Sequence, residues 1–210
     1  MGNYYMNLRR KSKRLLSRIT EGVMFLNRFV DKPSRVGSIT PSSSYLAGAM
    51  MSKIDWSCVH NAAELGAGTG VFTRTMLRKL KGGQLLVFEI DPTLAAMIEH
   101  EHPGLKVYGD ARELPAIMAG MGVDKLDCVV SSLPFAVLPP RVTAGVLEAV
   151  DRCLRPGGKF IAYQYSRQMR PHFEKRFADV RISFVLRNVP PAFVYECTAR
   201  GGEGIGCTGL

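Results

Sequence analysis

An α/β fold built on a mostly parallel, doubly wound sheet is what this sequence predicts, and three observations predict it. The first is the stretch Ala63-Glu64-Leu65-Gly66-Ala67-Gly68-Thr69-Gly70, which follows a short apolar run and precedes a helical pattern starting at Val71. The second is the regular alternation of strand and helix patterns from that turn to Tyr165, the signature of βαβ units with ligands at the carboxyl ends of the strands. The third is a change near the end: Val180 to Arg187 and Ala192 to Ala199 read as consecutive strands joined through Asn188-Val189-Pro190-Pro191. A parallel sheet closed by an antiparallel pair follows from the three together.

The elements justify this in order. From Asn7 to Val30, Leu8, Leu15, Ile19, Val23, Leu26 and Val30 recur at helical spacing while Arg10, Lys13, Arg14 and Arg18 fall mostly elsewhere on the wheel, so residues 1–34 form a basic amphipathic helix. Residues 35–200 hold the α/β domain, and the glycine-rich 201–210 forms a flexible tail. Within the domain, Thr40 is an N-cap with Pro41 at the first helical position. Helices are expected over Val71 to Lys81, Pro92 to His100, Arg112 to Met121, Arg141 to Leu154 and Gln168 to Phe177. Gln84 to Ile90, Lys106 to Tyr108, Leu126 to Ser131 and Lys159 to Tyr165 are strands. No internal repeat is present.

Composition narrows the function. The chain has 210 residues, 46% of them hydrophobic, enough for one domain with a sizeable core. Its formal net charge of +10 is concentrated at the start, where Arg9, Arg10, Lys11, Lys13, Arg14, Arg18, Arg28, Lys32 and Arg35 face only Glu21 and Asp31. An anionic partner is expected, and the apolar stripe suits a helix lying on an anionic membrane, with Phe25, Leu26 and Phe29 inward; an RNA-binding arm explains the charge without the stripe. The five cysteines are widely spaced without a C-x-x-C pair, which argues against a disulfide framework or a zinc site and fits a cytoplasmic setting. No apolar run approaches the roughly 18 residues a membrane span needs.

The glycine turn is the centre of the chemistry. Gly66, Gly68 and Gly70 permit positive φ and close approach of the backbone to a ligand, and the helix that follows presents free amides. Glu89 ends the second strand 23 positions after Gly66, about where doubly wound folds place a carboxylate for ribose hydroxyls. Asp91 competes for that role, although Pro92 after it suggests a helix cap. Asp110, after the third strand, either accepts from an exocyclic amine or caps the helix that follows.

With these pieces in order the chain resembles the class I S-adenosylmethionine-dependent methyltransferases, whose fold is Rossmann-like with seven strands. The likeness rests on Glu64-Leu65-Gly66-Ala67-Gly68-Thr69-Gly70, Phe88-Glu89-Ile90-Asp91, Gly109-Asp110-Ala111, Ser131-Ser132-Leu133-Pro134-Phe135 and Leu154-Arg155-Pro156-Gly157-Gly158. It implies that Glu64 and the three glycines hold the methionine part of S-adenosyl-L-methionine, Glu89 its ribose, and Asp110 with Ala111 its adenine.

Ser132-Leu133-Pro134-Phe135 also looks like the Asn-Leu-Pro-Phe or Asn-Pro-Pro-Tyr element of amino-group methyltransferases, with Ser in place of Asn. That likeness implies that Ser132 and the Leu133 carbonyl accept hydrogen bonds from the target amine while Phe135 packs on it. Val36-Gly37-Ser38-Ile39-Thr40-Pro41-Ser42-Ser43 and Val185-Leu186-Arg187-Asn188-Val189-Pro190-Pro191-Ala192 resemble the soluble bacterial phospholipid N-methyltransferases, which convert phosphatidylethanolamine toward phosphatidylcholine. The resemblance covers roughly Arg35 to Arg200. It places Tyr165 near the head group and gives the N-terminal helix a counterpart that binds membranes. Arg35, Arg187, Thr40 and Ser42 are the candidates for the lipid phosphate, the last two through the helix start. The expected partners are an aminophospholipid and the inner face of the membrane. No metal is required, and His60, His100, His102 and His172 lie outside the matched motifs. Two other readings stay open: an RNA adenine N-methyltransferase, and a non-catalytic lipid- or RNA-binding protein on the same fold.

Overall fold

The computed structural model describes residues 41–201, with side chains from Ser44 onward. The basic helix expected over 1–34, Arg35, Thr40 and the 202–210 tail lie outside the described residues. Helix α1 (Pro41–Met51) begins where the Thr40-Pro41 pair places a helix start, and a short 3-10 turn (Trp56–Cys58) leads into strand β1 (Asn61–Leu65). Then follow α2 (Val71–Lys79), β2 (Gln84–Phe88), α3 (Pro92–Glu101), β3 (Val107–Tyr108), a 3-10 turn (Ala111–Glu113) and α4 (Leu114–Gly120). The chain continues through β4 (Leu126–Ser131), α5 (Pro140–Cys153), β5 (Leu154–Gln164), α6 (Arg170–Arg176), β6 (Asp179–Val185) and β7 (Ala192–Thr198).

The seven strands form one sheet in the order β3-β2-β1-β4-β5-β7-β6. β1 pairs in parallel with β2 and β4, and β4 with β5, whereas β7 runs antiparallel between β5 and β6, as expected. Several boundaries shift by one or two residues, and two starts have a structural cause. The expected Arg112 helix begins as a 3-10 turn because Asp110 caps it, and β5 starts at Leu154 rather than Lys159 because Leu126 pairs with Leu154 before an irregularity in the ladder.

Side chains alternate across the sheet at period two, which builds a core on each face. Ala63, Leu65, Val129 and Phe160 face Leu114 and Met118 of α4, Val146 and Val150 of α5, and Phe173 of α6. Ala62, Cys128, Val130 and Ile161 face Leu46, Met50 and Met51 of α1 and Phe72 and Met76 of α2. A strand buried on both faces reads as a continuous apolar run, which is why β4 is legible without alternation. Among the described residues no helix is long and apolar enough to cross a membrane. Cys128, Cys153 and Cys197 are free and buried.

Candidate active site

The strand order reverses between β1 and β4, and a doubly wound sheet opens its ligand crevice at that point. The glycine turn sits there. Gly66, Gly68 and Gly70 have φ of 79°, 57° and 76°, the left-handed region that an L side chain avoids. The amides of Gly66 and Ala67 both donate to the Phe88 carbonyl at 2.8 and 3.0 Å, so the end of β2 holds the turn.

Gly66 is required twice over, since a Cβ there would lie 2.9 Å from Leu133 Cδ2 and 3.1 Å from Ser132 Oγ. We expect Gly66→Ala to lower stability by about 1–2 kcal/mol from backbone strain and to weaken cofactor binding, both read by thermal unfolding with and without cofactor. An unchanged melting temperature would show that the turn tolerates a β-carbon.

Two carboxylates flank the turn in different states. Glu89 is buried, accepting from the Gly68 amide at 2.7 Å through Oε2 and from the Asp91 amide at 2.9 Å through Oε1. Asp91 caps α3 by accepting from the amides of Thr93 and Leu94, so its carboxylate is engaged away from the turn. Glu64 lies under the turn on β1, fully buried. Its Oε2 accepts from the Thr73 hydroxyl at 2.6 Å, while Oε1 is buried with no hydrogen-bond partner among the described residues. Burial pushes its carboxyl up to about 7, against the Thr73 hydrogen bonds. A buried carboxylate oxygen with an open valence beneath three positive-φ glycines suits a cationic amino-acid group. The residues present therefore fit the methionine end of S-adenosylmethionine.

Asp110 is engaged by its neighbour Arg112. Its carboxylate accepts from the Arg112 amide and forms a fork with the Arg112 guanidinium, with contacts of 2.5 to 3.0 Å. That pairing holds its carboxyl below the usual range. The cap reading describes the observed geometry, and Asp110 can turn to an adenine amine only by giving up part of this fork. Ala111 is buried beside it at the start of the 3-10 turn.

At the end of β4 the Ser132 amide donates to the Leu65 carbonyl at 2.9 Å, and its hydroxyl donates to the Gly66 carbonyl. Ser132 therefore joins the fourth strand to the glycine turn and keeps oxygen lone pairs to accept from an amine. The Leu133 carbonyl differs from its expected role: Gln164 Nε2 at 2.8 Å and the Phe135 amide at 2.9 Å take up its two lone pairs. Phe135 also differs. Only 2% exposed, its ring packs edge-on against Phe160 and Phe173 in the core, because the turn after Pro134 directs it into the sheet face.

Tyr165 follows β5 at the same edge of the sheet, its ring T-shaped against Tyr163 at 5.8 Å. Burial raises its phenol, opposed by hydrogen bonds with Tyr163 and Asn188. Arg187 lies in the loop after β6 with its guanidinium 5.3 Å from the Tyr45 ring centre, and α1, which carries Tyr45 and Ser42, packs on this side. Three partners escaped the sequence reading: Thr73, Gln164 and Asn188. Gln164 carried a signal, as the lone amide between Tyr163 and Tyr165 after the apolar run Phe160-Ile161-Ala162, whereas Thr73 and Asn188 look like ordinary helix and turn residues. Among the described residues no three His, Cys, Asp or Glu side chains group as a metal site.

Known proteins share this fold. Residues 62–158 match the family model described as a methyltransferase domain. Of solved structures, a 16S rRNA N2 G1207 methyltransferase of T. thermophilus, in complex with AdoMet and guanosine, superposes with a TM-score of 0.57 at 21% identity, over 80% of this chain and 45% of that one. A SAM-dependent methyltransferase from Archaeoglobus fulgidus gives 0.58 at 12% identity, over 75% of this chain and 94% of that one. Both likenesses express the fold. Sequence goes further: an ornithine lipid N-methyltransferase of Singulisphaera acidiphila is 31% identical over 180 residues, covering 83% of this chain and 94% of the relative. Identity at that level over nearly the full length of both is kinship, and the chain belongs to the class I S-adenosylmethionine-dependent methyltransferases.

Proposed function

We propose that this enzyme is an N-methyltransferase acting on the amine head group of phosphatidylethanolamine and its methylated intermediates, toward phosphatidylcholine, at the inner face of the membrane. The similarity to a lipid N-methyltransferase along 83% of the chain carries the reading. S-adenosylmethionine supplies the methyl group on an activated sulfonium. What remains for the protein is to hold a neutral amine in line, exclude water and balance charge. Glu64 and the glycine turn hold the methionine end, and Glu89 accepts from the ribose. Ser132, tied to the same turn, accepts an amine N–H and aims the nitrogen lone pair toward the turn. Gln164 holds the Leu133 loop rigid behind it. The lipid phosphate is met by Arg187, the start of α1 and Arg35. The proton leaves through water: His60, His100 and His102 belong to segments at the opposite edge of the sheet, and His172 is exposed on α6.

The relative's name puts an ornithine lipid beside phosphatidylethanolamine as a second acceptor. Incubation with methyl-labelled cofactor and liposomes of either lipid, or with ribosomal RNA, separates the possibilities. Label is expected in phosphatidylethanolamine and its methylated forms. Label confined to ornithine lipid moves the substrate to the second reading, label in RNA overturns both, and label in neither despite cofactor binding supports a non-catalytic role.

The basic helix at 1–34 is the proposed membrane anchor. Removing Met1 to Asp31 should weaken binding to anionic vesicles by roughly tenfold or more while leaving cofactor affinity intact, as expected for several basic residues near lipid phosphates. Unchanged vesicle binding would remove the anchor role.

A further inference from the structure

The carboxyl edge of the sheet carries an apolar and cationic surface of which the roles above use only Arg187. Gln164 at the end of β5 pairs with Phe193, and Val185 at the end of β6 pairs with Ala192, so the loop 186–191 lies at the same edge as Ser132 and Tyr165. At its tip Leu186 is 72% and Val189 79% exposed, and Val137, in the loop after β4, is 60% exposed. Asn188 between them is buried, with Nδ2 donating to the Pro190 carbonyl at 2.6 Å, so one anchored side chain holds two aliphatic ones outward.

The charge around these tips has one sign. The stretches 132–141, 165–169 and 186–191 contain Arg141, Arg167 and Arg187 and no Asp or Glu. All three arginines are exposed, and among the described residues none forms an ion pair. Aliphatic side chains that leave water, ringed by unpaired cations, complement a bilayer whose surface is anionic and whose interior is apolar. RNA would reward the arginines but not the aliphatic tips, which offer no stacking face.

We infer that Leu186 and Val189 insert into an anionic phospholipid bilayer with Arg141, Arg167 and Arg187 at the phosphate level, a membrane contact separate from the N-terminal segment. Insertion turns the mouth beside Ser132 and Tyr165 toward the lipid, so a head group reaches the site without leaving the membrane. The inference rests on the reading that the acceptor is a lipid.

The test uses the full chain carrying Leu186→Asp and Val189→Asp, with Leu186→Ser and Val189→Ser as a milder pair. Sedimentation with vesicles of phosphatidylethanolamine and phosphatidylglycerol should show partitioning reduced about tenfold or more by the aspartates and less by the serines. Cofactor affinity and methyl transfer to detergent-dispersed phosphatidylethanolamine should stay within about twofold, since neither side chain is in the site. In the wild type, vesicles should slow amide exchange at 186–189. Unchanged partitioning of both variants overturns the inference, as does wild-type binding equally tight to neutral phosphatidylcholine vesicles, or a loss confined to RNA binding. A wild type that partitions through this loop yet methylates no lipid supports the inference and sinks the acceptor reading. Methylation in detergent with loop-independent partitioning does the reverse.

Discussion

Replacing Glu89 by alanine should lower the affinity for S-adenosylmethionine roughly a hundredfold, about 2.7 kcal/mol at 1.36 kcal/mol per decade. The size follows from what one buried carboxylate does. It accepts from the amides of Gly68 and Asp91, and so holds the glycine turn against the end of β2. Its loss leaves those amides without their charged partner, loosens the turn before any ligand arrives, and removes the acceptor for the ribose. Charge-assisted hydrogen bonds of this kind are worth about 1.5–3 kcal/mol each. Glu89→Gln keeps the shape but not the charge and should fall between. Titration calorimetry checks both, and an alanine variant within twofold of the wild type would show that the ribose is read by another group. Asp91 is poorly placed to be that group, since its carboxylate caps α3.

Glu64 should make the ligand-free enzyme less stable as pH rises. Its carboxyl titrates at about 7 in the folded chain, against 4.5 for an ordinary glutamate in water, so the native form holds the proton more tightly over that window. Stability from this group is present below the unfolded value and declines as pH rises from about 4.5 to about 7, above which the full cost of a buried charge is felt. Between pH 5 and pH 8 the loss is on the order of 2–3 kcal/mol. Glu64→Gln should remove it. Relative to wild type, that variant gains on the order of 2–3 kcal/mol on going from pH 5 to pH 8, by denaturant unfolding without cofactor. The same variant should bind cofactor more weakly at pH 8, because a cationic ligand stabilises the carboxylate. In the wild type, cofactor affinity should fall toward about tenfold per unit as pH drops below 7, and the glutamine variant should lack that slope. Parallel pH profiles for the two proteins would show that Glu64 does not titrate over this window.

Much of this is legible in the sequence because the signals are local. Three glycines at alternate positions can serve only a turn with positive φ, and all three adopt it. Asp91 before Pro92 is a cap in sequence and in structure, since both capping bonds lie within three residues. Glu89 at the end of an apolar strand can be placed at the turn from the spacing of a βαβ unit alone. Long-range partners are not legible. The Leu133 carbonyl is expected to meet the amine, but it is occupied from 31 residues away by Gln164. No local pattern reveals such a pairing, which exists only because β4 and β5 lie side by side. Phe135 departs from expectation for a related reason: a short loop can turn a ring to either side, and the space left by Phe160 and Phe173 decides it.

By itself the sequence determined the α/β class, the order of its elements, the antiparallel close and the place of the glycine turn, because hydrophobic period, glycine and caps act within a few residues. Only the tertiary structure decided the state of the acids and the shape of the mouth. A carboxylate's environment is set by what packs on it from distant elements. That is why Glu64 is buried with an oxygen to spare, Glu89 is bound to the turn, and Asp110 is held by its neighbour Arg112. The same dependence on strand neighbours brings the loops after β4, β5 and β6 to one edge, where residues more than 50 positions apart, such as Val137 and Val189, come to share a surface.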